Sequence, residues 1–142
     1  LVLEATSNDL DYDGKTATVT VTNEDDDVAP EPTPAINVSA TELVTNEDLT
    51  VATFDVTLAT QPAEPVTLTL TYDPDDEGEI NPFQLTFDAD NWDVPQTVEV
   101  QGTDDDEVDG DISYDLVLEA TSNDLDYDGK TATVTVTNQD ND

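Results

Sequence analysis

The sequence has no cysteine, no histidine and no methionine, and only two basic side chains, Lys15 and Lys130, among 142 residues. Each absence removes a class of chemistry. Without cysteine there are no disulfides and no thiolate nucleophile. Without histidine there is no Ser-His or Cys-His catalysis and no imidazole ligand for zinc. Two cations against 36 Asp and Glu leave a formal net charge of −34, so the chain cannot neutralise phosphates, and nucleic acid and anionic membranes are poor partners. No run approaches the length of apolar sequence that crosses a bilayer, so no direct membrane insertion is expected. No signal peptide is present, and any secretion or anchoring sequence is expected outside these residues. Aromatic residues make up 6% and hydrophobic residues 35%, enough for one domain with a thin core.

What is abundant is carboxylate. At this density carboxylates repel one another, and a compact state needs cations to offset the repulsion. Calcium takes six to eight oxygen ligands from carboxylates, carbonyls and water, so an Asp-rich chain without His or Cys suits it far better than zinc or copper. The competing reading is a halophile's solubility coat. The distribution separates the two: 28 of the 36 acids fall in eight short segments totalling 40 residues, whereas a coat would spread more evenly. The clustering favours ligation.

Residues 1–23, LVLEATSNDLDYDGKTATVTVTN, recur without a difference at 116–138. An identity of that length marks a tandem array, read here as the tail of one unit followed by a whole one. After Glu24-Asp25-Asp26-Asp27 comes Val28-Ala-Pro-Glu-Pro-Thr-Pro-Ala35, whose alternate prolines favour a stiff polyproline II spacer. The expected organisation is therefore 1–27 as the C-terminal strand pair of a preceding repeat, 28–34 as a Pro-rich linker and 35–142 as a complete repeat.

Within 35–142 the apolar residues recur at period two, the strand signal, and nowhere at helical spacing. Phe54-Val56-Leu58, Val66-Leu68-Leu70-Tyr72, Leu85-Phe87, Val98-Val100, Tyr114-Leu116-Leu118 and Ala132-Val134-Val136 each mark one face. With a first strand near Ile36–Val38 the count is about seven, bounded by Pro, Gly, Asn and Asp turns. This pattern predicts an all-β, immunoglobulin-like Greek-key β-sandwich. Its outer faces are mostly threonine, which leaves the strands neutral and the charge in the loops.

The most acidic loop is Asp104-Asp105-Asp106-Glu107-Val108-Asp109-Gly110-Asp111. A turn made flexible by Gly110 can fold several carboxylates around one ion. The terminal Asn138-Gln139-Asp140-Asn141-Asp142 and the loop Asp73-Pro-Asp75-Asp76-Glu77-Gly78-Glu79 have similar standing, and Glu47-Asp48 lie in a turn before the second strand. Asp124-Leu-Asp126-Tyr-Asp128-Gly129 spells the opening of an EF-hand loop, but the twelfth position is Thr135 where that loop needs Glu, so an EF-hand is excluded. An Asp-Gly hairpin turn with Tyr127 packed inward is the favoured reading, against a calcium loop completed from elsewhere. Trp92 is read as a plug on one end of the core rather than a sugar-stacking platform.

The segments Leu85-Thr-Phe87, Asn91-Trp92, Val94-Pro95-Gln96-Thr97-Val98, Asp104-Asp105-Asp106, Asp109-Gly110-Asp111 and Tyr114, closing on Asn138-x-Asp140-x-Asp142, resemble bacterial relatives of the Calx-β domain. The resemblance covers essentially 35–142. It implies tandem occurrence in large secreted surface proteins and adhesins, an immunoglobulin-like sandwich, and calcium ions clustered at one pole, more than one per repeat. Carried over by position, the implied ligands are Glu47, Asp73 or Glu77, Asp104, Asp105, Asp106, Asp109, Asp140 and Asp142. The middle loop is shorter than in exchanger-type domains and lacks their D-G-T-A segment, so the resemblance does not choose among Asp73, Asp75, Asp76 and Glu77.

The function expected is that of a calcium-rigidified extender repeat of a long extracellular adhesin on a bacterial surface, with neighbouring repeats of the same chain as its partners. The alternatives are a calcium-dependent carbohydrate or cell-surface binding module, and an acidic halophilic domain without specific sites. Enzymatic activity is not expected, because paired carboxylates for glycoside hydrolysis need a cleft that raises a pKa, and these acids occupy open loops. Residues 1–27, whose apolar face lacks the rest of its unit, are further expected to be capable of strand exchange.

Overall fold

The computed structural model describes residues 1–24, 29–73, 77–104, 108 and 110–141, and the chain divides into two compact units, Leu1–Glu31 and Pro32–Asp142. Among the described residues every regular element is a strand.

The first unit holds β1 (Val2–Glu4) and β2 (Thr16–Thr18), an antiparallel ribbon with Leu3 opposite Ala17. Two short strands cannot bury a face between them. Leu1, Val2, Leu3, Tyr12, Val19 and Val21 are accordingly exposed.

The second unit holds β3 (Ile36–Val38), β4 (Glu42–Asn46), β5 (Val51–Leu58), β6 (Val66–Thr71), β7 (Gly78–Asn81), β8 (Gln84–Phe87), β9 (Gln96–Gly102), β10 (Ile112–Ser122) and β11 (Thr131–Gln139). They form two sheets, ordered β4-β11-β10-β6-β8 and β3-β5-β9-β7. Period-two alternation puts Phe54, Val56, Leu58, Val98 and Val100 of one sheet against Val66, Leu68, Phe87, Leu116, Leu118, Val134 and Val136 of the other, all buried. Each such side chain contributes about 1.5–3 kcal/mol by leaving water. The unit is thus an all-β immunoglobulin-like sandwich.

Among the described residues the unit has nine strands, two more than the expected seven. In β4 the adjacent Leu43 and Val44 break the alternation, and Val44 points outward, 58% exposed. β7 carries a single large apolar residue, Ile80, and exists through its pairing with β9, so Gly78 and Glu79 belong to a strand rather than to the preceding loop. The first edge changes sheets at Ser39–Thr41. β3 pairs antiparallel with β5, β4 pairs parallel with β11, and the Ser39 hydroxyl accepts from the Asp55 amide at the crossing.

The strand directions create two unlike poles. β3 starts beside Leu58, at the pole formed by loops 59–65, 88–95 and 123–130. β11 ends beside Asn46, at the pole formed by the described residues 47–50, 72–73, 77, 103–104, 108, 110–111 and 140–141. At the first pole Tyr127 is 1% exposed; its hydroxyl accepts from the Thr60 amide at 3.0 Å and lies 2.7 Å from the Thr60 carbonyl, to which it donates. The expected tight Asp-Gly hairpin is in fact the wider loop 123–130. It is closed by the Gly129 amide on the Ala120 carbonyl (2.9 Å), with Gly129 at φ 76°. Trp92 is partly buried against the core.

Candidate functional site at the acidic pole

The inward rows of two neighbouring strands end in polar residues. On β4 the row Leu43, Thr45 continues to Glu47, and on β11 the row Val134, Val136 continues to Asn138. Thr45 and Glu47 are 1% exposed and Asn138 0%. Burying a carboxylate costs several kcal/mol unless charge or hydrogen bonds offset it. One Glu47 oxygen accepts from the Asn141 amide at 2.9 Å, while the Glu47 amide donates to the Gln139 carbonyl at 3.3 Å.

Asn138 ties the pole together. Its oxygen accepts from the Thr45 hydroxyl (3.0 Å), and its amide nitrogen donates to a Glu77 carboxylate oxygen (2.9 Å) and to the Thr103 carbonyl (3.0 Å). A side chain on Gly102 would collide with the Asn46 carbonyl and the Asn138 amide oxygen, so only glycine admits this approach. Two residues on, Asp140 accepts from the Gly110 amide (2.8 Å) and donates its own amide to Asp111 (3.3 Å). The short segment 138–141 therefore bonds to all three other loops of the pole.

The turn that delivers Glu47 is wound by side chains. Asn46 Oδ1 accepts from the Asp48 amide (3.1 Å) and the Thr50 hydroxyl (2.9 Å), and Leu49 sits in the left-handed region at φ 61°. Such a conformation costs a leucine about 1–2 kcal/mol. The Leu49 carbonyl accepts from the Gln101 side chain (3.3 Å), anchoring the turn to β9.

Of the residues expected as ligands, Glu47 is buried in this pole, and Glu77 and Asp140 are half-buried there on amide donors. Asp73 and Asp104 are exposed at the same pole, following β6 and β9. Asp105, Asp106, Asp109 and Asp142 lie outside the described residues. Among the described residues no three acids are grouped closely enough to hold a metal ion by themselves. What the structure does gather is an oxygen-rich surface, the donor chemistry that suits a hard cation, built from carboxylates, backbone carbonyls and an Asn amide. The unit's one basic side chain, Lys130, lies in the 123–130 loop of the other pole.

Sequence reasoning named Asn138 only as the start of the terminal motif, without a role, and passed over Thr45 and Gly102. The signal was present, because Asn138 and Thr45 extend inward-facing rows, and a polar residue in such a row needs a partner. The acids of the other pole do different work. Asp88 accepts from the amides of Asp90 (2.9 Å) and Asn91 (3.1 Å), and Asp124 from those of Asp126 (2.9 Å) and Ala63 (2.8 Å). Asp128 accepts from that of Ser122 (3.1 Å). These carboxylates wind turns.

Neither a family model nor a curated protein matches the sequence. Solved structures do match. The crystal structure of the periplasmic chaperone SfaE aligns with a TM-score of 0.60 at 11% identity, covering 76% of this chain and 59% of the chaperone. The PapD-like domain 7 of human CEP192 aligns at 0.59 and 9% identity, covering 87% and 97%. WR4, an MSP family member of C. elegans, aligns at 0.51 and 9%, covering 74% and 96%. The chain spans 52% of a further chaperone, YadV. At these identities the likeness is one of fold, a β-sandwich of PapD-like, immunoglobulin-like kind.

Proposed function

We propose that this chain is a calcium-binding structural repeat of a long extracellular bacterial protein, an extender of an adhesin stalk. The observation that carries the proposal is Glu47, a carboxylate 1% exposed at the pole where Glu77, Asp104 and Asp140 also stand. Glu47, Glu77, Asp104 and Asp140 would hold the ion, together with Asp73, Asp105, Asp106, Asp109 and Asp142 by resemblance to Calx-β repeats. Calcium, when bound, neutralises such carboxylates and links oxygen donors from separate segments. The residues themselves supply the scaffold: Asn138 joins Glu77 to Thr45 and Thr103, and Asp140 joins the terminal segment to Gly110.

The strand directions support a mechanical role. The unit is entered at the Tyr127 pole, by β3, and left at the acidic pole, by β11, so units joined through Pro-rich linkers follow one another end to end. A periplasmic or secreted setting accords with this reading. Trp92, packed on the core, offers no support to the carbohydrate-binding alternative.

The test is thermal unfolding with calcium and with chelator, repeated in concentrated sodium or potassium chloride, with calorimetry for stoichiometry. Calcium at about a hundredfold over its dissociation constant should add ~2.7 kcal/mol and raise the midpoint on the order of 10 °C. Glu47→Gln should reduce that gain. An unchanged midpoint, or stabilisation by any salt alike, sinks the calcium reading in favour of a halophilic coat.

A further inference from the structure

The apolar face of the β1–β2 ribbon has a partner that the sequence itself names. Residues 1–23 and 116–138 are identical. In the second unit the counterparts of Leu1, Leu3, Val19 and Val21 are Leu116, Leu118, Val134 and Val136, each 0% exposed. They occupy a slot between β6 and β4 and face the core residues Phe54, Val56, Val98 and Val100. The first unit already holds the register that the slot requires. Val2 opposes Thr18, Leu3 opposes Ala17 and Glu4 opposes Thr16, as Val117 opposes Thr133, Leu118 opposes Ala132 and Glu119 opposes Thr131.

We propose that the slot accepts residues 1–23 of the same chain in place of 116–138, so that the chain carries a second, interchangeable copy of its closing hairpin. The connection is long enough. Asn23 would take the place of Asn138, which is level with Thr45, and Thr45 lies nine residues beyond Ile36. Nine extended residues span about 30 Å, and one strand spacing adds about 5 Å. The twelve residues 24–35, rich in proline, reach about 37 Å in polyproline II form.

The resident hairpin prevails because β10 begins four residues before the repeated segment. Ile112–Asp115 pair with β11, Tyr114 is 5% exposed, and none of these has a counterpart in 1–23. The spare copy matters when the resident is lost. The inference rests on strand identity and register and is independent of calcium.

The test uses the full chain, which has no cysteine to interfere. Leu118→Asp cripples the resident hairpin, Leu3→Asp the spare one. Unfolding is followed by Trp92 fluorescence, and occupancy by oxidation of Glu4→Cys with Thr69→Cys. These positions become directly opposed when Glu4 takes the place of Glu119, within disulfide reach. Leu118→Asp alone should keep a cooperative transition at a lower midpoint and form the 4–69 disulfide within one chain. Adding Leu3→Asp should abolish both. A Leu118→Asp chain that unfolds as fully as the double variant overturns the proposal. So does a retained transition without the disulfide, or a disulfide formed only between chains.

Discussion

Leu1–Asn23 and Leu116–Asn138 are the same 23 residues in two surroundings. Much is common to both. Tyr12 and Asp13 donate their amides to the Asp9 carbonyl as Tyr127 and Asp128 do to that of Asp124, Gly14 and Gly129 close the loops on Ala5 and Ala120, and the Ser7 and Ser122 amides each donate to the carboxylate of the Asp six residues on, Asp13 and Asp128. Gly14 has φ 75° and Gly129 φ 76°. The difference lies beyond the turn. β1 and β2 have three residues each, β10 eleven and β11 nine. Tyr12 is 63% exposed and Tyr127 1%. Turn and register follow from interactions within the segment, whereas strand length and burial follow from β4, β6 and the facing sheet.

That contrast is breakable. The largest effect is expected at the Leu3 and Leu118 pair. With the spare hairpin disabled by Leu3→Asp, Leu118→Ala should cost about 2–5 kcal/mol in urea unfolding, the price of emptying a core site. Leu3→Ala in the unaltered chain should stay within about 0.5 kcal/mol. Next comes the tyrosine pair. Tyr127→Phe leaves the Thr60 amide without its acceptor and should cost about 1–3 kcal/mol, while Tyr12→Phe should leave the melting midpoint unchanged. The smallest difference is expected at the glycines. A Cβ on either meets nothing within 4 Å, so Gly129→Ala and Gly14→Ala pay only for left-handed backbone, about 1–2 kcal/mol. Both should speed amide exchange in their own turn by similar factors, but only Gly129→Ala should lower the unfolding midpoint.

Legibility in the sequence followed the same division. Strands with unbroken alternation, such as Phe54-Val56-Leu58 and Val66-Leu68-Leu70, were plain, because one buried face imposes period two. β4 and β7 were not, since Leu43-Val44 and a lone Ile80 carry no period, and their pairing partners, β11 and β9, are remote in the chain. At the acidic pole the clustering of acids and the resemblance to Calx-β repeats singled out Glu47, Glu77, Asp104 and Asp140. Neither disclosed that Asn138 joins three of the pole's segments, because those bonds link residues 35 to 93 positions apart. The Asp124 loop was easier to read. Its motif opens like an EF-hand loop, but the favoured reading is a turn, and the Asp124 and Asp128 carboxylates are hydrogen-bonded to backbone amides of their own loop and of Ala63.

The sequence by itself determined the all-β class and the turn geometry of the repeated hairpin, since each depends on neighbours within a few residues; the strands it led one to expect neutral do carry acids, Glu42, Asp55, Glu79, Glu99, Asp115 and Glu119 among them. Tertiary structure alone decided which copy of that hairpin is buried and which acids share a pole. Burial and convergence require segments far apart in the chain to meet, and 23 identical residues cannot specify which of two surroundings they will find.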